Sequence, residues 1–493
     1  MQPVSFSSLE SFKESVAFLD TLLEQDHFPE KLLTPYKIRS QLKKNIDKVA
    51  KIFSKNEVAN FSKVLEEELC EMILPTVLDG GGNYLAGMAL RNKSLGLSDN
   101  QEVLKEKFSI LSQSRYITSY LPQLNSGYGF ITYPGYMLIH SRDLLSRYPK
   151  KPENYFEYAY PVIYEFEGLR KQEGEASLPG WLAFFFVKPE TMSDQVDLVR
   201  KKTLEAVKAI EKLNGKIIGL GGLSASLTKG GNLLEEKTSS KITTGHAYTI
   251  SNIFNTLEDA AQKCNLPLNR STVAIVGAAG SVGRGAAIIC ARFGVQKLVL
   301  FDRRPLDATL EKIRGVSEVP VEFGDLKEDI GKAHAVLVAT SDPNVLFDAQ
   351  DFQPGTLILD DSQPKNIGKE FMTQRDDIII LEGGAVQPPA MDGYKIRPAF
   401  GPKLKSFHWG LVNLAMTGKT DVPSCLAEVM AWSSLNENRE EYSLGSADPE
   451  LADYLNQKSV SMGFKSATLQ CFGKSIPPER FAKVREINQA RFS

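Results

Sequence analysis

Apolar and polar positions come in blocks along this chain, and the block lengths separate helices from strands. Up to about residue 125 the spacing is helical: Ile38, Leu42, Ile46, Val49 and Phe53 recur every three or four residues and make one apolar face. A second helical stretch, 56–74, ends near Pro75, and Gly80, Gly81 and Gly82 mark a loop. After Asn125 the runs shorten. Segments 128–140, 160–166 and 181–187 read as strands. Segment 194–213 reads as a helix with Val196, Val199, Leu204, Val207 and Ile210 on its buried side and Gly215 at its C-terminal cap.

The stretch 271–304 combines strand, tight turn, helix and second strand. Val273 to Val276 is short and β-branched, as a strand buried on both faces should be. Gly277, Gly280 and Gly283 then leave room for the turn, for approach to a pyrophosphate and for helix–sheet contact. Ala279, Ser281 and Val282 complete the loop at a helix N-terminus, whose free N–H groups suit phosphate. The second strand delivers Asp302 to its carboxyl end. Asp302 favours the 2′-hydroxyl of NAD, whereas Arg303 and Arg304 suit the 2′-phosphate of NADP, and the residues leave both open. Strands at 335–339, 357–359 and 378–381 follow, ending in Thr340 and Ser341, in Asp360 and Asp361, and in Glu382, Gly383 and Gly384. The pattern predicts an α/β protein: a Rossmann-type doubly wound parallel sheet, a preceding α/β substrate domain and a helical N-terminal extension. The expected boundaries are 1–126 for the extension, 127–262 for the substrate domain, 263–415 for the dinucleotide domain and 416–493 for a C-terminal helical segment that packs back on the substrate domain.

Length fits this division, because 493 residues exceed what one hydrophobic core organises. A net charge of −2 supplies no field for nucleic acid. Five scattered cysteines make neither a disulfide framework nor a C-x-x-C metal site, so a reducing cytoplasm is expected and no metal. The first residues lack the pattern of a signal peptide, and no apolar run approaches the roughly 20 residues that cross a bilayer. One local charge imbalance stands out: eight lysines or arginines between Lys31 and Lys55 face the single Asp47. That face is either a solvated surface or a dock for an acidic partner or an anionic membrane.

Two glycine-punctuated loops, 219–232 and 243–249, place backbone where a ligand could meet it. The candidate nucleophile is Cys425. Pro423 and Ser424 form a helix-start pair, which puts the thiol in the first turn, where free N–H groups are expected to lower its pKa. Inert packing is the competing reading. Asp360 and Asp361 are strand-end carboxylates with no complementary ligands in view.

The ordered set GLGGLSAS (219–226), TTG (243–245), VAIVGAAGSVG (273–283), QPKN (363–366), GG (383–384) and CLAEVM (425–430) resembles the long-chain fatty acyl-[acyl-carrier-protein] reductases that form fatty aldehydes. The resemblance runs from about Tyr128, through YPGYMLIHSRDLLSRYP, to about Phe472. It implies Cys425 as the catalytic cysteine that forms an acyl-enzyme and NADPH as cofactor, with NADH the alternative. It also implies a fatty acyl thioester as substrate, carried by acyl carrier protein or coenzyme A. Gly221, Gly222, Ser224, Thr243, Thr244, Gly245 and His246 are then the substrate-side residues, and N–H groups near Gly221, Gly222 or Thr244 the candidates for holding an oxyanion. An acyl channel is expected between the Trp181 strand, the helix after Asp194 and the nucleotide domain. The chain departs from the family at Tyr248, which stands where a histidine is usual; that role is not carried over, and His246 reads as a hydrogen-bonding residue. A shikimate-dehydrogenase-like enzyme acting on a polar hydroxy acid, and a non-catalytic NAD(P)-binding sensor, are the other readings.

Overall fold

The computed structural model describes residues 127–132, 162–167, 178, 180–184, 189–212, 214–342, 347–362, 365–368, 370–389, 395–398, 421–435, 442–471 and 474–493. The predicted helices before residue 126, the basic run Lys31–Lys55 and the segment YPGYMLIHSRDLLSRYP lie outside them.

Two six-stranded sheets organise the described chain. The first contains β1 (Gly127–Thr132), β2 (Val162–Glu167), β3 (Gly180–Phe184), β4 (Gly215–Leu220) and β5 (Lys241–Thr243). The second contains β6 (Thr272–Val276), β7 (Lys297–Phe301), β8 (Val321–Phe323), β9 (Ala335–Val338), β10 (Leu357–Asp360) and β11 (Ile379–Glu382). Its order is β11-β10-β9-β6-β7-β8, with every pair parallel. This is the doubly wound Rossmann order, with its switch point between β6 and β9, where the crevice for a dinucleotide opens. Nearly continuous burial of TVAIV, KLVLF, AVLV and LILD explains why these runs lack polar alternation: helices cover both faces.

Beyond β11 come β12 (Ala385–Gln387), β13 (Lys395–Pro398), β14 (Val422–Pro423) and β15 (Lys465–Ser466). β13 joins the first sheet, whose order is β13-β2-β3-β1-β4-β5. The chain therefore leaves the dinucleotide sheet well before the expected boundary at 415. β12 pairs antiparallel with both β14 and β15, which brings the start of the following helix to the carboxyl end of β11.

Six helices of eight or more residues matter here: α1 (Val196–Lys212), α2 (His246–Lys263), α3 (Ser281–Phe293), α4 (Ser424–Leu435), α5 (Pro449–Ser461) and α6 (Pro478–Phe492). α1 packs on one face of the first sheet, where Val199, Ala206, Val207 and Ile210 meet Ile131, Trp181 and Ile218 in a filled core. Among the described residues, the side chains of α1 and of the Trp181 strand pack on one another where the acyl channel was expected. Asn214, at φ 63°, takes the left-handed position after α1, and Gly215 opens β4 instead of capping the helix. α4 covers the opposite face, over β1 and β4, and α2 packs against α3, α4 and α5. One continuous core thus joins the substrate side to the dinucleotide sheet. In the C-terminal segment α4 packs on the first sheet, whereas α6 docks beside β11 of the second. There the Asn488 amide donates to the carbonyls of Cys264 (3.3 Å) and Gly355 (3.2 Å). No helix of the described residues is long and apolar enough to cross a membrane.

The glycine turn depends on close backbone contact. A Cβ at Gly283 would strike the Gly277 carbonyl, so Gly283→Val must push α3 off β6. Overpacking of this kind costs about 1–3 kcal/mol, and thermal unfolding should show a melting temperature lower by several degrees. An unchanged melting temperature would refute this account of the turn.

Candidate active site

The dinucleotide end is built by backbone shape. Gly277 adopts φ 87°, and a Cβ there would collide with the Ala339 carbonyl at the end of β9. Gly280 precedes α3, whose first residues Ser281 and Val282 line a cavity of about 810 Å³ together with Gly277, Thr340 and Gly384. Ala279 and Gly283 sit behind that wall, as does Gly383, which packs on Asp361. The Ser281 hydroxyl accepts the Ala447 N–H at 2.6 Å, which ties the loop before α5 to the cofactor turn. The three glycines and the start of α3 form the cradle that a pyrophosphate requires, so the residues present fit a dinucleotide.

At the end of β7, Asp302 is already engaged. It accepts hydrogen bonds from the Ala279 N–H (2.9 Å), the Arg304 N–H (2.9 Å) and the Arg304 guanidinium (3.1 Å). Burial opposes its ionisation, yet the bonds from Arg304 and Ala279 hold its carboxyl below the usual range. Asp302 therefore locks the glycine turn to its own strand end. Arg303, largely exposed, pairs with Asp342 at 3.1 Å. Both arginines line the cavity.

The other end of the same cavity is formed by Cys425, Thr244, His246, Gly222 and Asp361. Ser424 starts α4: its N–H donates to the Gly384 carbonyl at 2.6 Å, and the Asn252 amide donates to its hydroxyl at 3.0 Å. Cys425 consequently lies in the first turn, as its sequence context predicts. The backbone at Leu426, Cys425 and Gly222 favours the thiolate. Even so, burial pushes the thiol up to about 12, helped by the Asp361 carboxylate, and the backbone does not compensate. The expected lowering is thus reversed, because tertiary burial and a neighbouring charge outweigh a helix terminus. Of the expected oxyanion donors, Gly222 alone contributes to the state of the sulfur. The Gly221 N–H donates to Ile131 O and the Thr244 N–H to Ser443 O, each at 2.8 Å.

No protein-family model matches the chain. Over 299 residues, 60% of the chain, it is 23% identical to aminotransferase PigE of Serratia sp., covering 32% of that protein. Over 200 residues, 38% of the chain, it is 26% identical to a long-chain acyl-[acyl-carrier-protein] reductase of Synechococcus elongatus, covering 56% of it. The chain spans less than two thirds of either relative. Among solved structures, L-tryptophan dehydrogenase from Nostoc punctiforme superposes with a TM-score of 0.33 at 12% identity, over 74% of this chain and 89% of that one. At that score the Rossmann assignment rests on the strand order alone.

Glu428, one turn beyond Cys425, went unnoticed in the sequence although it is the charged residue in an otherwise apolar helix face. It is fully buried. Its carboxylate accepts the Thr243 hydroxyl and, at 2.8 Å, the Tyr248 N–H. This clamp draws the 243–248 turn onto α4. Gly245, at φ 74°, lies so close that a Cβ would collide with Cys425 Cα and Cβ. Thr243 and Gly245 are therefore supports of Cys425 and do not reach the cavity; Ser224 is likewise buried beneath its loop. Tyr248 meets the Phe464 ring edge-on. Burial lowers the pKa of His246 to about 4, against the Gly445 backbone, which favours the charged ring. It stays neutral at physiological pH.

Burial raises Glu428 to about 7, against the hydrogen bonds from Thr243 and Tyr248 that favour its charge. Because the folded pKa lies above the unfolded one, the stability linked to this group is present below about pH 4.5 and is lost as pH rises through 7. Glu428→Gln does not titrate, so the variant's melting temperature relative to the wild type should climb between pH 5 and pH 8. A constant difference would contradict a buried, pKa-shifted carboxyl.

Proposed function

We propose that this protein is an oxidoreductase that reduces a long-chain fatty acyl thioester to the aldehyde with NADPH, through an acyl-enzyme on Cys425. The observation that carries this reading is that Cys425, in the first turn of α4, shares one cavity with the glycine turn of the Rossmann sheet. The partial likeness to a long-chain acyl-[acyl-carrier-protein] reductase supports the choice of substrate.

The chemistry divides into two balanced halves. The Cys425 sulfur attacks the thioester carbonyl, the carbon–sulfur bond to the carrier breaks, and the carrier leaves as a thiol. NADPH, when bound, supplies a hydride for the acyl carbon. Gly222 and Cys425 present backbone N–H groups where negative charge collects on the former carbonyl oxygen. Cleavage of the bond to Cys425 then frees the aldehyde, and with one proton from solvent the thiol is restored. Substrate-side walls come from Thr244 and His246, whose neutral ring adds no charge beside the acyl group.

For the cofactor, Asp302 bears on the choice in a way opposite to its usual one. Its oxygens are taken up by Ala279 and Arg304, so its charge is compensated, and Arg303 and Arg304, paired with Asp342 and Asp302, line the cavity where a 2′-phosphate would lie. Acyl carrier protein, a cytoplasmic location and contact with a membrane surface belong to this proposal, with the basic run Lys31–Lys55 as the dock for an acidic carrier.

The test mixes wild type and Cys425→Ala with a long-chain acyl thioester and NADPH, with NADH in parallel, and identifies the product. Aldehyde is expected from the wild type and none from the variant; cofactor oxidation with a hydroxy or keto acid instead, or turnover surviving in Cys425→Ala, would overturn the reading. Arg303→Ala should raise KM for NADPH by about tenfold to a hundredfold, the worth of one charge-assisted hydrogen bond, and leave KM for NADH unchanged. An equal effect on both cofactors would argue against a 2′-phosphate site.

A further inference from the structure

We propose that Asp361 is the base that takes the proton from the Cys425 thiol. The inference rests on Cys425 being the nucleophile.

The two adjacent carboxylates at the end of β10 do different work. Asp360 is consumed by its own loop: it accepts the N–H groups of Ser362 (2.9 Å), Asn366 (2.9 Å) and Ile367 (3.0 Å) and the Ser362 hydroxyl. Asp361 points the other way. Its carboxylate accepts no hydrogen bond from any described residue and lines the cavity with Cys425. Only Gly384 separates it from the start of α4. At φ 76°, a Cβ on Gly384 would strike Asp361 Oδ1, while the Gly384 carbonyl receives the N–H of Ser424, the residue before Cys425. A larger residue at 384 would displace the carboxylate or the helix.

Electrostatics support this placement. The Asp361 charge is second to burial among the influences that raise the Cys425 thiol to about 12. A thiol that high is un-ionised near neutral pH and needs an acceptor in the act of attack. Burial lifts Asp361 itself to about 7, with Lys365 opposing and Asp360 assisting. Lys365 is anchored through its ammonium to the Asp360 carbonyl oxygen. Among the other titratable groups nearby, His246 is neutral above about pH 4. Glu428 titrates near 7 but faces Thr243 and Tyr248, off the cavity. Asp302, Asp325 and Asp342 line the adenosine side.

The proton then has a complete path. It passes from Sγ to the Asp361 carboxylate as the sulfur–carbonyl bond forms, and from the Asp361 carboxylic acid to the sulfur of the departing carrier as the old thioester bond breaks. Asp361 ends ionised, as it began.

The experiment measures alkylation of Cys425 by iodoacetamide from pH 5.5 to 9, followed by mass spectrometry, with neither cofactor nor thioester present. The wild-type rate should rise through an inflection near 7. Asp361→Asn and Asp361→Ala should react about a hundredfold more slowly at pH 8 and lack that inflection, while Glu428→Gln keeps it. A spectator charge predicts the opposite sign: removing it would lower the thiol pKa and speed alkylation. Faster reaction of Asp361→Asn, an inflection that survives in both Asp361 variants, one that disappears only in Glu428→Gln, or a wild-type thiol inert throughout would each overturn the proposal. Because no thioester is used, a protein with this profile that makes no aldehyde loses the reductase reading and keeps the Asp361–Cys425 pair.

Discussion

A single buried carboxylate holds the reactive end of this molecule together. Glu428 sits inside α4, one turn from Cys425, and receives the Thr243 hydroxyl and the Tyr248 N–H from the turn between β5 and α2. A buried carboxyl without such donors would carry the full cost of desolvation, so sheet, turn and helix must meet in one arrangement. Gly245 completes the constraint, since at that distance no side chain fits between the turn and Cys425. The position of the sulfur follows from this contact more than from the helix that bears it.

The same principle recurs across the cavity. Asp302 grips the Ala279 N–H and Arg304 at the dinucleotide turn, and Asp360 grips three N–H groups of its own loop. Each is a strand-end carboxylate, and each is spent on fixing backbone. Asp361 departs from this pattern by leaving its oxygens open to the cavity beside Cys425. Among the described residues it accepts no hydrogen bond, and burial lifts its pKa to about 7 against the charge of Lys365, which suits the proton-transfer role proposed for it.

Much of the architecture was legible in the chain itself. The run TVAIV, the glycines at 277, 280 and 283 and the next apolar run specify strand, turn and helix because their requirements are local: a left-handed backbone at Gly277 and contact across a few residues at Gly283. The helix start at Ser424 was legible for the same reason. Less was legible of the substrate side. The helix carrying Val199, Val207 and Ile210 was recognisable, but that its apolar face packs against Trp181 was not, since residues far apart in sequence meet there.

Sequence alone determined the Rossmann unit, the placement of Cys425 in a first helical turn and the polar strand ends that rim a cofactor, all set by neighbouring residues. Tertiary structure alone decided what those groups can do. The thiol is raised, not lowered, because burial and Asp361, which is remote in the chain, outweigh the local N–H groups. Thr243 became a support instead of a wall because Glu428 takes its hydroxyl, and Asp302 became a backbone lock because Ala279 and Arg304 claim its oxygens. Dihedral preferences act over a few residues, whereas desolvation and charge depend on everything the fold brings within a few ångströms.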